Sequence, residues 1–177
     1  MLFGAHVSAA GGISKAIDRI QELRGNAVQV FTQSPRMWRP TQHAPEELER
    51  FRVRRRQARV KHVSCHALYL VNLASRDRAI RKASFTALCA TMETARGIGA
   101  DAVVLHVGSH LGYGFREAVK KVTPALRGLL ELTTDEVERA KLREQIRDKV
   151  RSVTGMNCVV ELVPPRTLPR TGRATST

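Results

Sequence analysis

The chain has 177 residues, 42% of them hydrophobic, enough for one sizeable core, so a single domain is expected. A formal net charge of +14 favours polyanionic partners, because Lys and Arg that neutralise phosphates release condensed counterions. No run approaches the ~18 apolar residues of a membrane helix, and Met1-Leu2-Phe3-Gly4-Ala5-His6 lacks the basic flank and apolar stretch of a secretory leader. Cys65, Cys89 and Cys158 form no close-spaced pair, which argues against a disulfide framework. A cytoplasmic protein without a membrane partner is expected.

In chain order, Leu2–Val7 and Ala27–Thr32 read as strands, each a short apolar, β-branched run. Pro45-Glu46-Glu47 opens a helix, since proline suits a first turn whose N–H groups lack partners. That helix leads into Phe51–Lys61, where six of eleven residues are basic, read as mainly a solvated helical face. His62–His66 is the third strand. Ile80, Ala83, Ala87, Leu88, Met92 and Ala95 then fall on one helix face.

Ala102–His106 is the fourth strand, followed by Phe115, Val119, Val122, Leu126 and Leu129 stepping by three and four. Thr133-Thr134-Asp135-Glu136 has capping-box spacing and opens a charged helix to about Val150. Asn157–Glu161 is the fifth strand. Alternation of this kind predicts a parallel sheet covered by helices. A doubly wound sheet and a (β/α)₈ barrel both fit, but no Gly-x-Gly-x-x-Gly follows the first strand. Polar residues and histidines instead sit where several strands end, as at the C-terminal mouth of a barrel. Five strands fall short of eight, and a full barrel needs about 250 residues. The expected fold is a partial, unclosed (β/α)₈ TIM barrel of about five β/α units.

His66 ends the third strand, His106 the fourth and Glu161 the fifth. Parallel strands would bring such ends to one side of the sheet, roughly 5 Å apart between neighbours. Two imidazoles and a carboxylate at a mouth suit zinc with an open position for water. Such a water is acidified and can attack a phosphodiester while the metal polarises the phosphoryl oxygens. A single strand-end histidine, however, is more often an ordinary core or rim residue. Cys65, beside His66, reads as a buried inert thiol. His43 and His62 carry no signal beyond surface and strand positions.

Four segments carry a resemblance to a known family. Gly4-Ala5-His6-Val7-Ser8-Ala9-Ala10-Gly11-Gly12 is similar to the opening motif of the endonuclease IV family, and Phe31-Thr32-Gln33-Ser34-Pro35-Arg36-Met37-Trp38 to its second loop. His66-Ala67-Leu68-Tyr69-Leu70-Val71-Asn72-Leu73-Ala74 and His106-Val107-Gly108-Ser109-His110 resemble its third and fourth. Four matches in order, each at a strand end, are far more specific than any one, and the resemblance spans roughly Met1 to Glu161. It implies a xylose-isomerase-like barrel holding three zinc ions, which hydrolyses the phosphodiester 5′ to an abasic site in double-stranded DNA. The lesion is flipped out, at reduced stacking cost because it has no base.

By position, the resemblance makes His66 and His106 ligands of one zinc, and Glu161 the carboxylate bridging it to a second. It places Arg36, Tyr69 and Leu70 in the gap at the lesion, as a long cation and planar or apolar wedges. Gly108 and Ser109 fall in a DNA-binding loop where glycine permits close approach. His6 and His110 belong to the site region without an assigned role.

The family's Asn-Thr-Ala-Gly-like turn after the bridging glutamate is replaced here by Leu162-Val163-Pro164-Pro165-Arg166. The expected organisation is therefore a barrel domain over 1–161 and an irregular tail over 162–177, rich in Pro, Arg and Thr, such as a frameshift would produce. The break weakens the alignment of Glu161. It also implies that at most one zinc finds its protein ligands, and that cleavage of abasic DNA is weak or absent. The open edges at Leu2–Val7 and Asn157–Glu161 invite self-association. Two other readings compete: a sugar isomerase or epimerase on a related barrel, and a non-catalytic DNA-binding fragment.

Overall fold

Hydrogen bonding between successive parallel strands orders the chain in space. The computed structural model describes residues 1–131 and 159–162, in which five strands pair in sequence order. β1 (Gly4–His6), β2 (Ala27–Phe31), β3 (His62–His66) and β4 (Ala102–His106) are parallel. α1 (Lys15–Glu22), α2 (Pro45–Gln57) and α3 (Arg78–Ile98) make the crossovers, and α4 (Phe115–Glu131) follows β4. The sheet is unclosed, with β1 and β5 (Val159–Leu162) at its ends.

β3 and β4 coincide with the expected strands. β1 is shorter, because Leu2 and Phe3 lie exposed before pairing begins at Gly4. The fifth strand corrects the sequence reading: β5 is antiparallel to β4, with Val104 opposite Glu161 and His106 opposite Val159. A four-residue strand at an open edge has one neighbour, and antiparallel bonds, perpendicular to the strands, are slightly the more stable arrangement. The charged helix expected to Val150, and everything from Val163 on, lie outside the described residues. Among the described residues no helix is long and apolar enough to cross a membrane.

The core is where the helices meet one face of the sheet. Val28, Val30, Val63, Cys65, Val103 and Leu105 from the strands are buried against Phe51, Leu88, Ala95, Ile98, Leu126 and Leu129 from the helices. Burial pushes the Cys65 thiol up to about 12, which keeps it protonated and inert. α1 goes beyond the expected elements, although Ile13, Ala16, Ile17 and Ile20 have helical spacing and are fully buried. On α3, Ser84 rather than Ala83 occupies the buried position. Ile80 and Phe115, expected on buried faces, are exposed in the first turns of α3 and α4. Asp77 caps α3 by accepting from Ala79 N–H at 2.7 Å, and Gly99 ends it in the left-handed conformation at φ 65°.

The basic run of α2 is largely engaged in ion pairs. Arg52 and Arg56 pair with Glu49, and Arg54 with Asp18. Arg55 is the most enclosed of them, its side chain 18% exposed. It pairs with Asp101 at 2.5 Å and donates to the carbonyls of Val60, Lys61 and Gly99. Asp101 also accepts from Val63 N–H at 2.8 Å. These contacts clamp the N-terminal ends of β3 and β4 to the end of α2, opposite the strand-end histidines.

At the other end of α2, Glu47 accepts from Ser14 N–H at 2.9 Å and pairs with Arg50 at 3.0 Å, which fixes the β1–α1 loop. Burial works against its charge, but the Ser14 hydrogen bonds, Arg50 and His43 outweigh it and hold the carboxyl below its ordinary 4.5. The folded state therefore binds its proton less readily, so the stabilisation is present above 4.5 and lost as pH falls through the lowered value. Glu47→Gln is expected to cost about 1 kcal/mol at neutral pH in urea unfolding. The gap to the parent chain should close in acid; a cost undiminished there would rule out the charge as its source.

Candidate functional site

The strand register gathers the site. Phe31 on β2 stands beside His66 on β3, which stands beside Val104 on β4, and His106 follows two residues further along. Side chains at the strand ends form a row of rings over the sheet. His6 and Phe31 have centroids 4.5 Å apart, Phe31 and His66 5.1 Å, and His66 and His106 5.4 Å. Tyr69, from the β3–α3 loop, stands edge-on to Phe31 at 5.2 Å and to His66 at 5.9 Å. Phe31 is thus central to the site, although the sequence reading gave it no role of its own; its place near a strand end was the available signal.

The His66 ring is held in one tautomer. Its Nδ1 lies 2.6 Å from the Ala67 carbonyl, which can only accept, so Nδ1 carries the proton and Nε2 offers its lone pair. A backbone partner on one ring nitrogen is the usual support for a metal-binding histidine. Partial burial, and then the neighbouring His66, lower the pKa of His6, which keeps it neutral near pH 7. His110 is tied within its own loop, where Nδ1 accepts from Gly112 N–H at 3.1 Å. Glu161 stands by its backbone in the row of His66 and Val104, on a strand running opposite to expectation. Among the described residues, no three of His, Cys, Asp and Glu cluster in a way that could hold a metal ion. The described histidines therefore present a pair, not a closed site.

The loops above the rings are bonded to one another. Tyr69 N–H donates to Pro35 O at 3.0 Å, joining the third loop to the second. Leu73 N–H donates to Val107 O at 2.9 Å, joining the third to the fourth. Arg19 from α1 donates to the carbonyls of Ser8 and Ala10 at 2.7 and 2.8 Å, and so shapes the first loop. His43 Nε2 stands 2.7 Å from Thr32 O and closes the second. Neither Arg19 nor His43 stood out in the sequence, because one basic residue on a helix and one loop histidine carry no pattern. A cavity of about 530 Å³ lies between the first two loops, lined by His6, Ser8, Phe31, Gln33, Thr41 and His43.

Arg36, Met37 and Trp38 project from the second loop as exposed side chains, and Tyr69 is 62% exposed. Leu70 instead packs partly against the core. Gly108 meets a tight constraint at φ +104°: a Cβ there would stand 2.0 Å from Asn72 Oδ1 and 2.6 Å from Asn72 Cα. Ser109, next to it, accepts from Asn72 Nδ2 at its carbonyl, at 3.2 Å. Gly108→Ala is therefore expected to destabilise the chain by about 2–4 kcal/mol in denaturant unfolding. Loss of less than about 0.5 kcal/mol would show that the loop yields freely.

With this geometry in view, the similarities to known proteins are specific. The xylose isomerase-like TIM barrel family matches over residues 17–149. A probable endonuclease 4 from Nitratidesulfovibrio vulgaris (strain DP4) is 47% identical over 113 residues, which cover 64% of this chain and 40% of that protein. The crystal structure of endonuclease IV from Thermus thermophilus superimposes with a TM-score of 0.65 at 34% identity, covering 75% of this chain and 47% of that one. A D-tagatose 3-epimerase-like protein shares the fold alone, with a TM-score of 0.53 at 19% identity. The matched region thus spans less than half the length of these relatives.

Proposed function

This chain belongs to the xylose isomerase-like TIM barrel family, and from that premise we propose that it carries the first part of the active face of a zinc-dependent abasic-site endonuclease. The reaction is hydrolysis of the phosphodiester 5′ to the lesion in double-stranded DNA, in base-excision repair in the cytoplasm. The observation that carries this reading is the His66–His106 pair, with ring centroids 5.4 Å apart at the strand ends, in a chain similar to endonuclease IV over 75% of its length.

The residues present fit a zinc ion in part. His66 offers Nε2 because Nδ1 is tied to Ala67 O, and His106 stands beside it. Glu161 is the proposed third donor, on the strength of its backbone place in the row of His66 and Val104. Zinc held there supplies an acidified water and polarises a phosphoryl oxygen. The remaining work belongs to the loops. Arg36 and Tyr69, exposed on bonded neighbouring loops, fill the gap left by the extruded nucleotide, and Leu70 backs them from the core edge. Gly108 and Ser109 bring backbone close to the phosphates. The net charge of +14 adds salt-dependent affinity for DNA. The described residues thus offer two imidazoles toward such an ion, and the third donor rests on Glu161.

Metal analysis and binding assays on the full chain test this reading. It should retain about one zinc, and removing both imidazoles in H66A/H106A should abolish retention. A duplex with a tetrahydrofuran abasic analogue should bind more tightly than the intact duplex, with affinity falling as salt rises. Equal affinity for the two duplexes would count against it. Binding without zinc or product would favour a DNA-binding fragment, and turnover of a ketose would favour the epimerase branch of the fold.

A further inference from the structure

Asn72 makes three hydrogen bonds, one of them accepted by its carbonyl from Ser75 N–H at 3.3 Å, and leaves one side-chain atom apparently orphaned. Its backbone N–H donates to Ser84 Oγ on α3 at 2.9 Å, which explains the serine at a fully buried helix position. Its Nδ2 donates to Ser109 O, 37 residues along the chain, at 3.2 Å. Among the described residues, its buried Oδ1 has no conventional hydrogen-bond partner. Leaving a buried acceptor unpaired costs on the order of 1–3 kcal/mol, so its surroundings matter. That oxygen lies 2.0 Å from where a Cβ would stand on residue 108. Glycine carries only a hydrogen there, which leaves room for Oδ1. The Asn72 side chain therefore packs directly against Gly108, and a Cβ at 108 would collide with it.

Other contacts run in parallel with this one. Ala67 N–H donates to Val104 O, Leu73 N–H to Val107 O, and Tyr113 O–H to Ala74 O. The Arg76 guanidinium lies 4.7 Å over the Tyr113 ring. Through Tyr69 N–H and Pro35 O the second loop joins the same body. Asn72 is the third-loop side chain in this set of contacts that donates to the fourth-loop backbone, at Ser109 O, and it sits three residues after Tyr69.

We propose that Asn72 is a positioning residue that locks the Tyr69–Leu70 loop to the Gly108–Ser109 loop, so that both meet DNA as one rigid surface. The part concerning DNA rests on the function proposed above; the locking does not. Amide hydrogen exchange on the full chain separates the two. In Asn72→Ala, amides of residues 107–113, together with those of Tyr69 and Leu73, should exchange about tenfold faster, while Val28, Val63 and Val103 in the sheet stay unchanged. Asn72→Asp keeps the shape but replaces the donor with an oxygen facing Ser109 O, and should behave like Asn72→Ala. Unchanged loop exchange, equal acceleration of the sheet, or parent-like behaviour of Asn72→Asp would each overturn the locking role.

In the same variants, preference for abasic over intact duplex should fall about tenfold, with affinity for intact duplex retained. Undiminished preference with loosened loops would overturn the link to DNA. If the parent chain shows no preference at all, the proposed function fails, and the exchange result alone decides the locking.

Discussion

The in-register parallel pairing of β2, β3 and β4 is the constraint on which the site depends. Once Val28 pairs beside Val63, and Cys65 beside Val103, the alternation of side chains leaves no freedom in where Phe31, His66 and His106 emerge. A slip of one residue would exchange core for site: Cys65, fully buried, would trade places with His66. The buried valines on one face therefore specify the chemistry on the other. Rotamer and tautomer are refinements of that placement, as the Ala67 carbonyl shows for His66.

Above the sheet, order comes from polar contacts between loops more than from apolar packing. Arg19 and Glu47 hold the first loop from the helix layer, and backbone bonds join the second, third and fourth. Much of the positive charge of α2 serves the scaffold in the same way, since Arg54 and Arg55 reach acids on other elements. Exposed pairs such as Arg56–Glu49 contribute little. The enclosed Arg55–Asp101 contact matters more, because losing one partner would strand the other beside unsatisfied carbonyls.

The sequence was most legible where local pattern and tertiary demand agree. β3 and β4 were bounded to the residue, because each is a short β-branched run closed by a histidine. The faces of α3 and α4 were legible in their middle turns and failed in their first, where Ile80 and Phe115 lie beyond the sheet's cover. α1 escaped notice because eight residues with an isoleucine-rich stripe are short for a periodicity argument. The direction of β5 was not legible at all, since alternation reads the same from either end of a strand. Within the site, the histidines and the second- to fourth-loop motifs could be read from strand ends. Asn72, His43 and Arg19 could not, because their importance lies in partners up to 37 residues away.

The exposed second loop has a spectroscopic consequence. Trp38 is the sole tryptophan of the chain, 37% exposed, and it lies three residues beyond Pro35, whose carbonyl binds the Tyr69 amide. Excitation at the red edge of indole absorption therefore reports from one address, at the rim of the site and distant from the clamp around Arg55. Its emission maximum and quenching by iodide register the wetness of that rim without any label. The molecule thus carries its own optical gauge of whether the surface beside Tyr69 is open to solvent or covered.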